Sequence, residues 1–172
     1  MLTTSFPAVR VQGDAMNVRL ERGGTVLLTD LDLTFRDVKL TGNAVRAATA
    51  EGGARLGYAD LGAMAGVQAK SAGGDQVTFT SEANVFGARV PIGVTGRLTV
   101  DPAAQTVAVT QSEINVAGVA VPRQVSQPVV DAMLKPVAVP LPYGLRLEAM
   151  TPDADGVAAR VGGTDVSFPM TR

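Results

Sequence analysis

The feature that most constrains this chain is its texture: short runs of Val, Thr, Leu and Ile alternating with polar residues, broken by turn residues. Period-two alternation places one apolar face on a pleated strand, so the sequence predicts antiparallel strands rather than helices over most of its length. From Gln76 to Val85, the residues Val77, Phe79, Ala83 and Val85 share one face. From Arg89 to Val100, Val90, Ile92, Val94, Leu98 and Val100 do the same. Gly96 falls on that apolar face, where a missing side chain marks a sharp bend, a close approach or room left inside. Between Asp32 and Leu40 the alternation slips. Leu33, Phe35 and Val38 do not share one parity, which predicts a bulge or twist near Arg36.

An internal repeat sharpens the strand layout. Ser81-Glu82-Ala83-Asn84-Val85-Phe86-Gly87-Ala88-Arg89-Val90-Pro91 recurs as Ser112-Glu113-Ile114-Asn115-Val116-Ala117-Gly118-Val119-Ala120-Val121-Pro122. Two copies are too few for a solenoid. They read as one hairpin type used twice, with Gly87 and Gly118 supplying positive φ. Asp101-Pro102-Ala103-Ala104 forms a further turn. The result is a meander over about 76–86, 88–100 and 106–117. Strands of this length span roughly 35 Å and must twist or curl.

One main helix is predicted at about 122–135, where Val125, Val129, Met133 and Leu134 recur at helical spacing. Pro122 suits its first turn and Pro136 ends it. Pro128 leaves two possibilities: a kinked helix, or a late start with Ser126 as N-cap. A shorter helix fits 58–65, and strands return at 144–150 and 157–168 around a turn at Asp153-Ala154-Asp155-Gly156. No composition shift divides the chain, so a single domain over 1–172 is expected. The fold class is α+β, mainly β: a long curled antiparallel meander sheet packed on one main helix.

Composition removes most chemistries. There is no His, no Cys and no Trp. Ser-His-Asp, Cys-His and HExxH sites are therefore impossible, as is a thiolate nucleophile or zinc ribbon. Net charge is −1 and aromatics are only 4%, with no basic run, which speaks against nucleic acid. No apolar stretch approaches the ~18 residues of a membrane span. Met1 is followed by Leu-Thr-Thr-Ser-Phe-Pro, with neither a charged n-region nor an apolar h-region, so no signal peptide is expected in this chain.

The remaining polar clusters have plain explanations. Asp30-Leu31-Asp32 has metal-binding spacing but no nucleotide-binding α/β pattern around it, and reads as exposed acids at a turn. Asp153-x-Asp155-Gly156 lacks the distant Glu of a calcium loop and reads as a hairpin turn. Glu82 and Glu113 could be imagined as a glycosidase pair but belong to solvated strand faces. The glycine pairs 23–24, 52–53, 73–74 and 162–163 match no phosphate cradle and read as loops and strand ends. No metal and no cofactor is expected. Small residues dominate the inward faces, with five Phe and two Tyr in the chain. A long sheet lined this way leaves an apolar groove that suits an acyl chain, or it packs directly against the helix.

Several segments, taken in order, carry a resemblance. Leu31-Asp32-Leu33-Thr34-Phe35-Arg36-Asp37-Val38 comes first, then Gly57-Tyr58-Ala59-Asp60-Leu61. The paired Gly87-x-x-Val90-Pro91 and Gly118-x-x-Val121-Pro122 follow. Leu141-Pro142-Tyr143-Gly144-Leu145-Arg146-Leu147, Asp155-Gly156-Val157 and Gly163-Thr164-Asp165-Val166 complete the order. Together, from about Ala15 onward, they resemble the LmeA-like family of actinobacterial phospholipid-binding proteins. Arg outnumbers Lys twelve to three, in keeping with a GC-rich genome.

The resemblance implies a fold like half of a tubular lipid-binding protein. It implies a non-catalytic protein of the cell envelope or periplasm, membrane-associated, that binds phospholipid and supports lipoglycan (lipomannan) assembly. Family members carry an export or anchor segment and a further helical stretch before the region of Ser5-Phe6-Pro7, so that segment is expected to be missing here. On this reading acyl chains lie against Val77, Phe79, Ile92, Val94, Leu98, Met133, Leu134 and Leu145. Arg97 or Arg146 meets an anionic head group, since guanidinium binds phosphate well. Phospholipid or a membrane surface is the expected partner. The alternatives are an envelope scaffold that binds a protein through a strand edge, its core fully packed, and an enzyme working with carboxylates alone.

Overall fold

The computed structural model describes residues 4–19 and 24–170; the side chains of Val85, Arg123, Val125, Ser126, Gln127 and Val129 are outside that description. The expectations placed on Val85, Val125, Ser126 and Val129 as facing or capping side chains therefore lie outside the described residues.

The chain runs β1 (Thr4–Arg19), β2 (Thr25–Thr41), β3 (Ala44–Leu56), α1 (Tyr58–Ala65), β4 (Gln68–Gly73), β5 (Gln76–Val85) and β6 (Ala88–Asp101). It continues through β7 (Thr106–Val116), β8 (Val119–Val121), α2 (Arg123–Met133), β9 (Val137–Ala138), β10 (Leu145–Pro152) and β11 (Val157–Pro169). Two antiparallel sheets result. One has the order β1-β2-β3-β11-β10; the other is the meander β4-β5-β6-β7-β8, with β9 on β7.

This corrects the expected single curled sheet on one helix. The meander is there, but it is only half of the protein. The other sheet forms because β11 pairs with β3, from Val157 opposite Leu56 to Pro169 opposite Ala44. That pairing joins distant parts of the chain, which local periodicity cannot reveal. Neither sheet is strongly curled. Helix α2 is a covering element for the meander rather than the centre of the fold. It begins directly after Pro122 and carries Pro128 within it, so a start at Ser126 is ruled out.

The long strands of the first sheet relieve their length by switching the inward parity. In β2 the inward residues are Leu33 and Phe35, then Val38; in β3 Ala47, then Ala50; in β11 Val161, then Val166. Regular pairing is interrupted along one line across the sheet, at Pro7, Asp37, Ala48 and Asp165. Asp37 and Asp165 have φ of 52°. Asp tolerates this left-handed conformation better than most residues, which explains why it stands there on two strands. The slip expected near Arg36 is this line.

Both repeat hairpins turn through two positive-φ residues: Phe86 and Gly87 at 52° and 84°, Ala117 and Gly118 at 50° and 85°. Two left-handed residues in a two-residue loop make a type I′ turn, whose twist matches the strands. Gly96 leaves no room inside. A Cβ there would lie 2.6 Å from Val109 Cγ1 and 2.8 Å from the Thr110 carbonyl oxygen, where β7 bulges against β6. The glycine pairs 52–53 and 162–163 lie within strands rather than in loops. A Cβ at Gly52 would strike the Asp32 backbone, and one at Gly53 would lie 2.7 Å from the Ala159 carbonyl oxygen.

The largest buried cluster draws on both sheets, with Val26, Leu56, Leu147 and Val157 from the first and Val77, Phe79, Leu98 and Val107 from the meander. A second cluster sits around Phe35, Val38 and Val166. A third, Val94, Ile114 and Val130, joins α2 to the outer end of the meander.

Candidate functional site

Between the sheets lies an apolar cavity of about 750 Å³. Its floor is the inner face of the first sheet, including Val26, Leu33, Phe35, Ala54 and Ala159. Leu61 and Met64 of α1 close one side; Phe79, Leu98 and Val107 close the end toward the meander. The roof is the segment from Leu134 to Leu145. Pro136 and Pro140 keep a helix from forming there, and Pro142 opens a turn. Val137, Val139 and Leu141 then alternate toward the cavity, and a turn at 142–144, with Tyr143 and Gly144 at φ 66° and 86°, brings Tyr143 and Leu145 onto its wall. Tyr143 and Phe168 meet at 4.9 Å between ring centroids, and Phe35 meets Phe168 edge-on at 5.5 Å. These rings form an aromatic end wall.

Polar side chains are rare in the lining: Asn17, Arg19, Lys135 and the Tyr143 phenol. Neither Arg19 nor Lys135 makes an ion pair among the described residues. The open side follows the edge strand β1, where Val11 and Met16 line the cavity yet remain about two-fifths exposed, at 42% and 40%.

The residues singled out in the sequence divide into groups. Phe79, Leu98, Leu134 and Leu145 line the cavity. Val77 is fully buried in the adjoining cluster. Ile92, Val94 and Met133 belong to the separate packed cluster beneath α2. Arg97 and Arg146 lie outside the lining, because their neighbours Leu98, Leu145 and Leu147 point inward and alternation turns the arginines outward. Arg97 instead pairs with Asp75 at 3.1 Å. Arg19, Lys135 and the roof between its two ends, Leu134 and Leu145, were not singled out. The roof had a readable signal, its apolar alternation between prolines; the two cations had none.

Gln105 ties the cavity together. Its side-chain amide donates to the Leu147 carbonyl and its Oε1 accepts the Leu147 N–H at 2.8 Å. Its backbone carbonyl accepts the Val139 N–H of the roof, also at 2.8 Å. One residue thus joins the meander, the roof and the first sheet.

Several of the acidic groups singled out in the sequence are engaged locally. Asp32 is bonded by Arg10, whose side-chain hydrogen bond holds that carboxyl below its ordinary range. Asp153 Oδ1 accepts the N–H groups of Asp155 and Gly156, forming the β10–β11 turn, and its carboxylate binds Arg55 at 2.6 Å. The Asp155 N–H, then Arg55, lower its pKa. Glu82 and Glu113 are exposed on β5 and β7, and Glu82 faces Arg89 at 3.5 Å.

Over residues 1–161 the chain matches the family described as LmeA-like phospholipid-binding. It belongs to that family. The matched stretch contains every cavity-lining residue except Phe168. It includes the Tyr58-Ala59-Asp60-Leu61 step, which forms the start of α1. The LmeA-like family is a lipid-binding one, with no catalytic family indicated. No curated protein and no solved structure matches the chain.

Proposed function

We propose that this LmeA-like protein binds phospholipid without catalysis, with acyl chain held in the cavity between the sheets. One observation carries the reading: a cavity of about 750 Å³ whose walls are almost wholly hydrocarbon. That volume falls in the range of ~300–1,000 Å³ typical of small-molecule sites. Water in such a space finds few hydrogen-bond partners, whereas an acyl chain fills it with dispersion contacts. Arg19 and Lys135 are the cations positioned to meet a phosphate at the rim. A scaffold with a fully packed core would leave no such space.

The wider role we assign is membrane-associated work in the cell envelope, supporting lipoglycan assembly by holding lipid rather than by transferring sugar. The family membership and the cavity support the lipid part. The envelope role follows from the resemblance.

The test is native mass spectrometry of the purified protein, with solvent extraction of the same sample. We expect co-purified phospholipid, retained in the parent and reduced in an Arg19→Ala/Lys135→Ala variant. Protein that is always empty and takes up no phospholipid from added micelles would refute the reading.

A further inference from the structure

Phe86 carries two penalties at once. It is wholly exposed, at 106% of the reference area, and it is a bulky residue at a φ of 52°. Side chains of this size rarely adopt left-handed backbone. The turn itself does not need them. In the second copy of the repeat Ala117 occupies the same position at a φ of 50°. The repeat is thus an internal control: the type I′ turn forms with a methyl group, so the phenyl ring at Phe86 serves something other than the fold.

The placement of the ring points outward. The Ala117 N–H bonds to the Pro91 carbonyl, which fixes the second turn opposite Pro91. The β5–β6 hairpin continues from Pro91 to Gly87, about 13 Å farther at strand rise. Phe86 therefore stands on a projecting finger. Ala88 beside it is also exposed. The nearest charges along the finger, Glu82 and Arg89, form a pair at 3.5 Å and present no net repulsion to a charged surface. Behind the finger, on the adjoining hairpin, Val119 is 68% exposed.

We propose that the β5–β6 hairpin is a membrane-docking finger, with Phe86 entering the interfacial layer of a phospholipid bilayer and Val119 making the secondary contact. The proposal rests on the phospholipid-binding reading, which supplies the reason for the protein to meet a bilayer. An apolar ring on a tip, with a neutral charge pair behind it, suits the boundary between head groups and acyl chains.

The chain has no Trp, so Phe86→Trp places a single indole reporter on the finger. The probe is vesicles of phosphatidylcholine with phosphatidylglycerol. We expect a blue-shifted emission on adding vesicles and quenching by brominated acyl chains. Phe86→Asn separates docking from folding, because Asn-Gly is a favoured type I′ pair. That variant should melt at or above the parent temperature yet partition onto vesicles roughly tenfold or more weakly. Val119→Asn should lose less, and Ala117→Asn should partition like the parent. An unchanged indole emission at saturating lipid, or Phe86→Asn binding vesicles like the parent, would overturn the finger. Extraction of co-purified lipid from the same preparations keeps the two readings apart. Empty protein with a shifted indole fails the cavity alone; loaded protein with an unmoved indole fails the finger alone.

Discussion

The meander contributes to two apolar interiors, and they are filled differently. At its outer end α2 lies over Val94 and Ile114, both 2% exposed or less, and the contact is packed. At its inner end Phe79, Leu98 and Val107 face the first sheet across an open cavity. Residue type alone does not account for the contrast, since Val, Leu and Met are common to both. The covering element does. A helix presents a broad apolar stripe that interdigitates with a sheet. The roof from Leu134 to Leu145 is a single irregular segment that ends in a turn at 142–144, and it covers a narrower strip than a helix does.

The contrast can be broken most directly by truncation. Ile114→Ala, in the packed end, should cost about 2–5 kcal/mol of unfolding free energy in urea titration. Leu33→Ala, on the cavity wall, should cost roughly 1–2 kcal/mol, because part of the space beside that side chain is already unfilled. Equal losses would mean that the cavity is as tightly packed as the α2 end.

Overfilling runs the test in reverse. Val94→Phe should destabilise by about 1–3 kcal/mol, since its surroundings have no spare volume. Val45→Phe, facing the cavity, should leave stability within ~1 kcal/mol of the parent while lowering lipid uptake about tenfold. Lipid uptake is read by native mass spectrometry and stability by urea titration. A Val45 variant that keeps full uptake would place the lipid elsewhere.

The same contrast explains what could be read from the sequence. Turn chemistry is local, so the Phe86-Gly87 and Ala117-Gly118 hairpins and the Asp153–Gly156 turn were legible. So were the short helix from Tyr58 and the main helix after Pro122. The β3–β11 pairing was not, because it depends on contacts across the whole chain. Alternation tells which face of a strand is apolar but not what lies opposite. Val94 and Leu98 share a face of β6, yet one meets α2 and the other the cavity. Gly52 and Gly162 looked like loop residues because a glycine kept free for a neighbour's approach has the same letter as one in a turn.

Gln105 joins the meander, the roof and the first sheet around the cavity, so its loss should act on that interior alone. Gln105→Ala removes both side-chain bonds to Leu147 and should cost about 1–2 kcal/mol. Amide exchange should quicken at Val139 and Leu147, on the cavity side, and stay near parental rates at Val130 within α2. Uniform quickening would show that the protein opens as one unit.

The smallest effect concerns acid. The Asp153 carboxyl titrates below its ordinary range because the Asp155 N–H and Arg55 favour its charged form. Such a group stabilises the fold above its unfolded pKa of about 3.9, and that contribution is lost as pH falls through the lowered folded value. Asp32, held down by Arg10, acts in the same direction. Both belong to the first sheet or its turns, so acid should loosen the cavity side before the α2 side. Asp153→Asn keeps an oxygen acceptor for the Asp155 and Gly156 N–H groups and removes only the charge. The variant should be slightly less stable at neutral pH, and its urea midpoint should fall less than that of the parent between pH 5 and about 2.5. A parent and variant with parallel acid profiles would show that the Arg55 pair, exposed as it is, contributes nothing measurable.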